Sequence, residues 1–218
     1  MPRIVDHAQR RREIIHGVWE VILTGGIQAV SLRRVAAAAG VSVGRIQHYF
    51  ADRDDLLRHG CDLLIEGGAE RFEESIVDAD PAETLRTLVL RTIPTTPTFT
   101  AGTILWTAYR AYGITDPVIR EQIQRTHLGV VDRAAELIDR ARASGTIPAG
   151  DNSGRVAMRL LATADGYALR VLSGDLPAAE ARAALESDLA DLGCPPAPSA
   201  PVETAEALTP DRPAPTDP

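Results

Sequence analysis

The spacing of apolar positions is helical along most of the chain. Ile14, Ile15, Val18, Trp19, Ile22 and Leu23 recur at three- and four-residue intervals, and Gly25-Gly26 closes the run. Residues 1–7, ahead of that run, read as a short flexible arm. Leu32, Val35, Ala36 and Ala39 give the next segment one apolar face, with Ser31 placed to cap it and Gly40 to end it. Ser42 opens another short helix whose Ile46 and Phe50 point inward at i, i+4 spacing, leaving Val43, Gly44, Gln47 and His48 facing out. Asp52, with Asp55 in the capping-box position, starts a longer helix through Leu56, Leu57, Leu63, Leu64 and Ile65 toward Phe72 and Ile76. Asp80-Pro81, Asp116-Pro117, Asp151 to Ser153 and Pro177 mark further starts, and the PTTPT stretch at 94–98 breaks the pattern before a helix through Trp106 and Tyr109. No segment alternates with strand period, so the fold class is all-α, with about nine helices.

Residues 31–50 are the informative stretch. Two short helices around a glycine-containing turn, with an adaptable outer face on the second, make a helix-turn-helix. In that motif the second helix lies in the DNA major groove. Val41-Ser42-Val43-Gly44-Arg45-Ile46-Gln47-His48-Tyr49-Phe50, followed by Asp52-Arg53-Asp54-Asp55-Leu56-Leu57, closely resembles the signature of the TetR/AcrR family of bacterial transcriptional regulators. That family usually shows Val-Ser-x-Gly-x-Leu-Tyr-x-His/Tyr-Phe and then Lys-Glu-Glu-Leu-Leu. Gln47 stands where a DNA-contacting Tyr is common, and Val43 where Lys is common.

The resemblance is firm over residues 8–60 and looser to about residue 192. It implies a three-helix helix-turn-helix DNA-binding domain over residues 8–60 and a helical ligand-binding and dimerisation domain over 61–193. It further implies a cytoplasmic homodimeric repressor on a near-palindromic double-stranded operator, released by a small-molecule effector, with no cofactor and no membrane partner. The spacing of Asp116-Pro117, Gly145 and Asp165-Gly166 is similar to the branch whose C-terminal domain is that of the choline-responsive repressor BetI. Activation in place of repression uses the same DNA contacts, as does control by a protein partner.

Charge sharpens the division. The chain carries −7 overall, and every one of its 23 basic residues is Arg. Residues 1–59 hold nine Arg against six acids, a net of +3, so residues 60–218 carry −10. A basic head on an acidic body orients itself on a duplex. Two cysteines, Cys61 and Cys194, are too few for a disulfide framework or a metal site, and no apolar run has the length of a membrane span. Residues 194–218 form a Pro-rich tail with eight prolines among the last 24 positions and no aromatics, a composition that reads as disorder. No GxSxG, phosphate loop or HExxH is present, which argues against an enzyme.

Phosphate contacts set affinity and base edges set specificity. Candidates for the first are Ser31, Arg33, Arg34, Ser42, Tyr49 and Arg53, the last forming a clamp with the helix end beside it. Arg10, Arg11 and Arg12 lie within the same reach. Base readers are Val43, Gly44, Arg45, Gln47 and His48: Arg45 suits guanine, Gln47 adenine and Val43 a thymine methyl. An effector pocket draws on the aromatics Phe99, Trp106, Tyr109, Tyr112 and Tyr167, with Thr103, Arg110, His127 and Asp165 as polar partners. The last two helices supply the dimer seam through Val156, Leu160, Leu161, Leu185 and Leu189, unless these stripes complete the core of one chain.

Overall fold

The computed structural model describes residues 3–76 and 80–195, with side chains from residue 7, and these form nine α-helices and no strand. They are α1 (Arg3–Gly25), α2 (Leu32–Ala38), α3 (Val43–Tyr49), α4 (Arg53–Ser75), α5 (Pro81–Leu90), α6 (Pro97–Tyr112), α7 (Pro117–Ala143), α8 (Ser153–Leu172) and α9 (Ala178–Asp191). Helix α1 begins at Arg3, so the expected arm at residues 1–7 is helical over its described part. A 3₁₀ turn at Ile27–Ala29 had no sequence signal. The tail beyond Pro195 lies outside the described residues.

Side-chain caps explain most of the helix starts. Ser31, Ser42, Asp52, Asp80, Thr96, Asp116 and Asn152 each accept a backbone N–H from the first turn of α2 to α8 respectively. Each cap is worth about 1 kcal/mol. Asp52 Oδ1 takes the Asp55 N–H at 2.8 Å, and Asp55 Oδ2 reaches back to the Ala51 N–H at 2.9 Å. That is the reciprocal cap expected from Asp52 and Asp55, shifted one residue on its return arm.

Two apolar cores result. The lower one joins α5, α7, α8 and α9, and takes in Phe72 near the end of α4. The upper one joins α1, α2, α3 and the first half of α4, and also takes in Leu105 and Tyr109 of α6 and Ile119 of α7. The head is therefore completed by helices from the body. Arg86, buried on α5, ties the lower core to its surroundings through Glu186 on α9 and the Pro195 carbonyl.

Head and body lock together where α1, α4 and α6 cross. Tyr109 is fully buried there, and its hydroxyl lies against Gly60 of α4 without a hydrogen-bond partner. Trp19 Nε1 of α1 donates to the Gly60 carbonyl at 3.2 Å. Burial pushes the Tyr109 phenol well above its ordinary 10, and burial with the nearby Asp62 pushes Cys61 up to about 12. Neither group ionises at neutral pH. A Cβ on residue 60 would stand 2.3 Å from the Tyr109 oxygen but 3.5 Å from Cζ behind it. Gly60 is thus the residue that lets α6 rest on α4.

Gly60→Ala is expected to destabilise the protein by about 1–3 kcal/mol, the usual cost of overpacking. In a Tyr109→Phe background the same change turns neutral or stabilising, since Ala gains about 0.5–1 kcal/mol over Gly within a helix. Urea unfolding of the four members of this cycle measures the reversal.

Candidate nucleic-acid interface

Helix α3 has seven residues, and its inner face is sunk in the upper core: Ile46 is fully buried, and Phe50 just beyond it nearly so. Val35 and Ala36 anchor α2 in the same core, and Gly40 turns the chain between the helices at φ 64°. What remains outward is Arg33 and Arg34 on α2, and Ser42, Val43, Gly44, Arg45, Gln47 and His48 at and along α3. The base-reader candidates thus share one exposed helix. A Cβ on Gly44 would meet nothing within 4 Å, so the backbone there is open to close approach.

Ser31 Oγ accepts the Arg34 N–H at 3.3 Å and Ser42 Oγ the Arg45 N–H at 3.2 Å. As caps the two hydroxyls use a lone pair, and each keeps its O–H for an acceptor such as a phosphate oxygen. Tyr49 is half-buried, with the His7 ring of α1 against it at a centroid distance of 4.5 Å. Arg11 Nη2 meets His59 Nε2 at 2.5 Å and stacks over Phe50. Arg10 pairs with Glu13 at 2.7 Å, while Arg12 is exposed.

Arg53 departs from the expected phosphate clamp. Its Nε donates to the Val30 carbonyl at 2.8 Å, Nη2 to the Ile27 carbonyl at 3.1 Å and Nη1 to the Tyr112 hydroxyl at 2.9 Å. Asp54 completes the set at 3.3 Å. The open carbonyls of the 3₁₀ turn draw the guanidinium inward, which makes Arg53 a brace between that turn, α4 and the end of α6. One turn on, Arg58 pairs with Asp116, the cap of α7, at 3.2 Å. Gln122 of α7 donates to Asp62 at 2.6 Å. Burial alone would raise the Asp116 carboxyl, but the Ile119 N–H and Arg58 outweigh it and hold the group below its ordinary 3.8.

Comparison with known proteins identifies this arrangement. Residues 14–59 match the family described as bacterial regulatory proteins, tetR family, and residues 81–193 match the BetI-type transcriptional repressor C-terminal family. The chain belongs to the TetR family. It is a DNA-binding transcriptional regulator rather than an enzyme. The HTH-type transcriptional regulator PksA of Bacillus subtilis is 30% identical over 173 residues, 79% of this chain and 83% of that one. A putative TetR-family regulator from Rhodococcus sp. superposes with a TM-score of 0.77 at 24% identity, covering 85% of this chain and 99% of that one. A putative regulator from Saccharomonospora viridis, solved in complex with choline, gives 0.77 at 22% identity, with 83% and 95% covered.

In this TetR-family chain the expected effector residues are spread over two cores and the surface. Tyr109 and Trp106 pack into the upper core, and Tyr167 against the lower one. Phe99 is exposed, Thr103 Oγ1 donates to the Phe99 carbonyl within α6, and His127 is half-buried on α7. Arg110 and Asp165 do meet, at 2.5 Å between α6 and α8. A hollow of about 550 Å³ opens elsewhere, between Leu23, the Pro94–Pro97 link and the Thr100, Ala101 and Ile104 face of α6. None of the nine expected residues lines it. Aromatic content marked apolar mass but could not say which core each ring joins.

The residues expected at the dimer seam lie inside one protomer. Val156, Leu160, Leu161, Leu185 and Leu189 are all buried in the lower core of a single chain. The exposed apolar line on α8 is instead Met158, Ala162, Gly166 and Leu169, and α9 exposes Ala179, Ala183 and Ala190. Tyr112, expected in the pocket, and Asp116, expected as a helix start, also fasten head to body, a role the sequence does not show because their partners lie 59 and 58 residues away.

Asp116→Asn keeps a capping side chain and removes the charge that faces Arg58. At pH 7 it is expected to lower the melting temperature by roughly 2–4 °C, as a lost partly buried pair does in a chain of this size. A depressed carboxyl stabilises the fold above its unfolded value and ceases to as pH falls through the folded one. The gap between wild type and variant should therefore close below pH 3.8 in thermal scans.

Proposed function

We propose that the protein is a homodimeric, ligand-responsive repressor that reads a near-palindromic operator with α3. The observation that carries this reading is the single exposed surface formed by Arg33, Arg34, Ser42, Val43, Gly44, Arg45, Gln47 and His48 over a fully packed inner face. Arg45 and Gln47 supply bidentate donors and acceptors for guanine and adenine, and Val43 an apolar face for a thymine methyl. Ser31, Ser42, Tyr49 and the α2 arginines supply phosphate contacts. One seven-residue helix spans few base pairs, so two copies are needed, their α3 helices about 34–36 Å apart to enter successive major grooves.

The seam of that dimer is the outer line of α8, Met158 and Leu169 at 54% and 55% exposure, facing its mate with the small residues of α9 alongside. Effector control runs through α6. This helix carries one wall of the hollow at Thr100, Ala101 and Ile104, the Arg110–Asp165 pair, and the Tyr109 and Tyr112 contacts with the head. A ligand that favours a shifted α6 changes the separation of the two α3 helices, by no more than its differential affinity for the two states. Choline, the ligand of the Saccharomonospora viridis neighbour, requires an aromatic cage. The rings of this body are split between two cores, which does not support it.

Arg45→Ala with Gln47→Ala should weaken specific binding to DNA flanking the protein's own gene at least about thirtyfold, two readers contributing about 1–3 kcal/mol each. Salt-sensitive, non-specific binding should persist. Mobility-shift titration checks both, and equal loss on every sequence would count against base reading by α3. Met158→Glu with Leu169→Glu should convert a dimer to a folded monomer by light scattering. A variant that stays dimeric places the seam elsewhere.

A further inference from the structure

Helix α1 starts well ahead of the family match at residue 14, and its extra turns lie over the exit of α3. There His7 rests on Tyr49 with ring centroids 4.5 Å apart and stands 6.3 Å from the ring of His48. His48 in turn meets Tyr49 edge-on at 5.1 Å. His7 and His48 are both exposed, and His48 follows Gln47 along α3. Histidine is the side chain whose charge ordinarily changes between about pH 5 and 8.

We propose that His7 and His48 form a proton-linked phosphate contact, so that operator binding takes up protons and tightens as pH falls. The inference rests on the DNA-binding reading of α3 and adds α1 to the interface. A phosphate oxygen set against both rings accepts an N–H from each and attracts their charged forms. The complex therefore favours the doubly charged pair more than the free protein does, which is the condition for proton uptake.

The neighbouring groups fit this role. The rings meet Tyr49 and each other, and the charged positions within four residues of them are Arg3, Asp6, Arg10 and Arg11 on α1, with Arg45 on α3 and Asp52 just beyond it. The other histidine of the head with a close polar partner, His59, is engaged differently. A guanidinium has no acceptor, so His59 Nε2 accepts from Arg11 and the ring proton sits on Nδ1, beside the Asp55 carbonyl at 2.9 Å and carboxylate at 3.0 Å. His16 stacks on Trp19 at 5.2 Å, away from α3.

The test is the pH dependence of affinity for the shortest duplex selected from a randomised library by the full chain, at constant ionic strength, by fluorescence anisotropy. Wild type should bind about tenfold more tightly at pH 6 than at pH 8, with a steeper salt dependence at pH 6. His7→Gln should flatten the profile markedly, and His7→Gln with His48→Gln should abolish it. Calorimetry in two buffers of different ionisation enthalpy should show proton uptake by wild type that His7→Gln reduces. Specific binding at pH 8 with a flat wild-type profile would overturn this proposal alone, as would a His7→Gln profile as steep as wild type. Absence of sequence preference at both pH values would overturn it together with the operator reading.

Discussion

A helix of seven residues cannot hold its own shape in water. Fixing the first turn costs more than its hydrogen bonds return, and isolated helices become marginal below about 12–15 residues. Helix α3 exists because Ile46 and Phe50 are sunk in a core that other helices build, and because Ser42 fixes its first turn. Every side chain on its outer face inherits position from those buried anchors. The remainder of the upper core, from Ile14 to Tyr109, can be understood as the support that a short recognition helix demands.

That support crosses the boundary that sequence similarity draws. The tetR-type match ends at residue 59, yet the core beneath α3 includes Leu105, Tyr109 and Ile119 from the body. Arg53 and Arg58 then reach Tyr112 and Asp116, and Gly60 receives the Tyr109 ring. A head that shares its core with α6 and the start of α7 cannot be repositioned without disturbing them. One helix, α6, therefore belongs to the core of the head while it packs within the body.

What was legible in the sequence is what short-range physics decides. Ser31, Ser42, Asp52, Asp80 and Asp116 announced their helices because a cap needs only its own first turn, and Gly40 announced the turn through the steric freedom it supplies. The outer face of α3 followed from two apolar positions. The seam and the pocket were not legible for the converse reason. Helix α8 has apolar residues on more than one side, and periodicity shows only that a stripe exists, not whether its own chain or a second copy covers it. Leu160 turned inward and Leu169 outward although the two look alike in sequence. Arg53 misled because a helix start beside an arginine resembles a phosphate site, while the carbonyls of a 3₁₀ turn 23 residues away cannot be seen.

The joint at Tyr109 is held by packing more than by hydrogen bonding. Its hydroxyl makes no hydrogen bond of ordinary geometry to a described residue, and Trp19 Nε1, the polar group near it, donates to the Gly60 carbonyl. A buried hydroxyl left so costs about 1–3 kcal/mol. The fully buried ring must offset that cost through its apolar contacts with α1 and α4, which is why the missing Cβ at Gly60 matters: it lets the ring come close enough to make them.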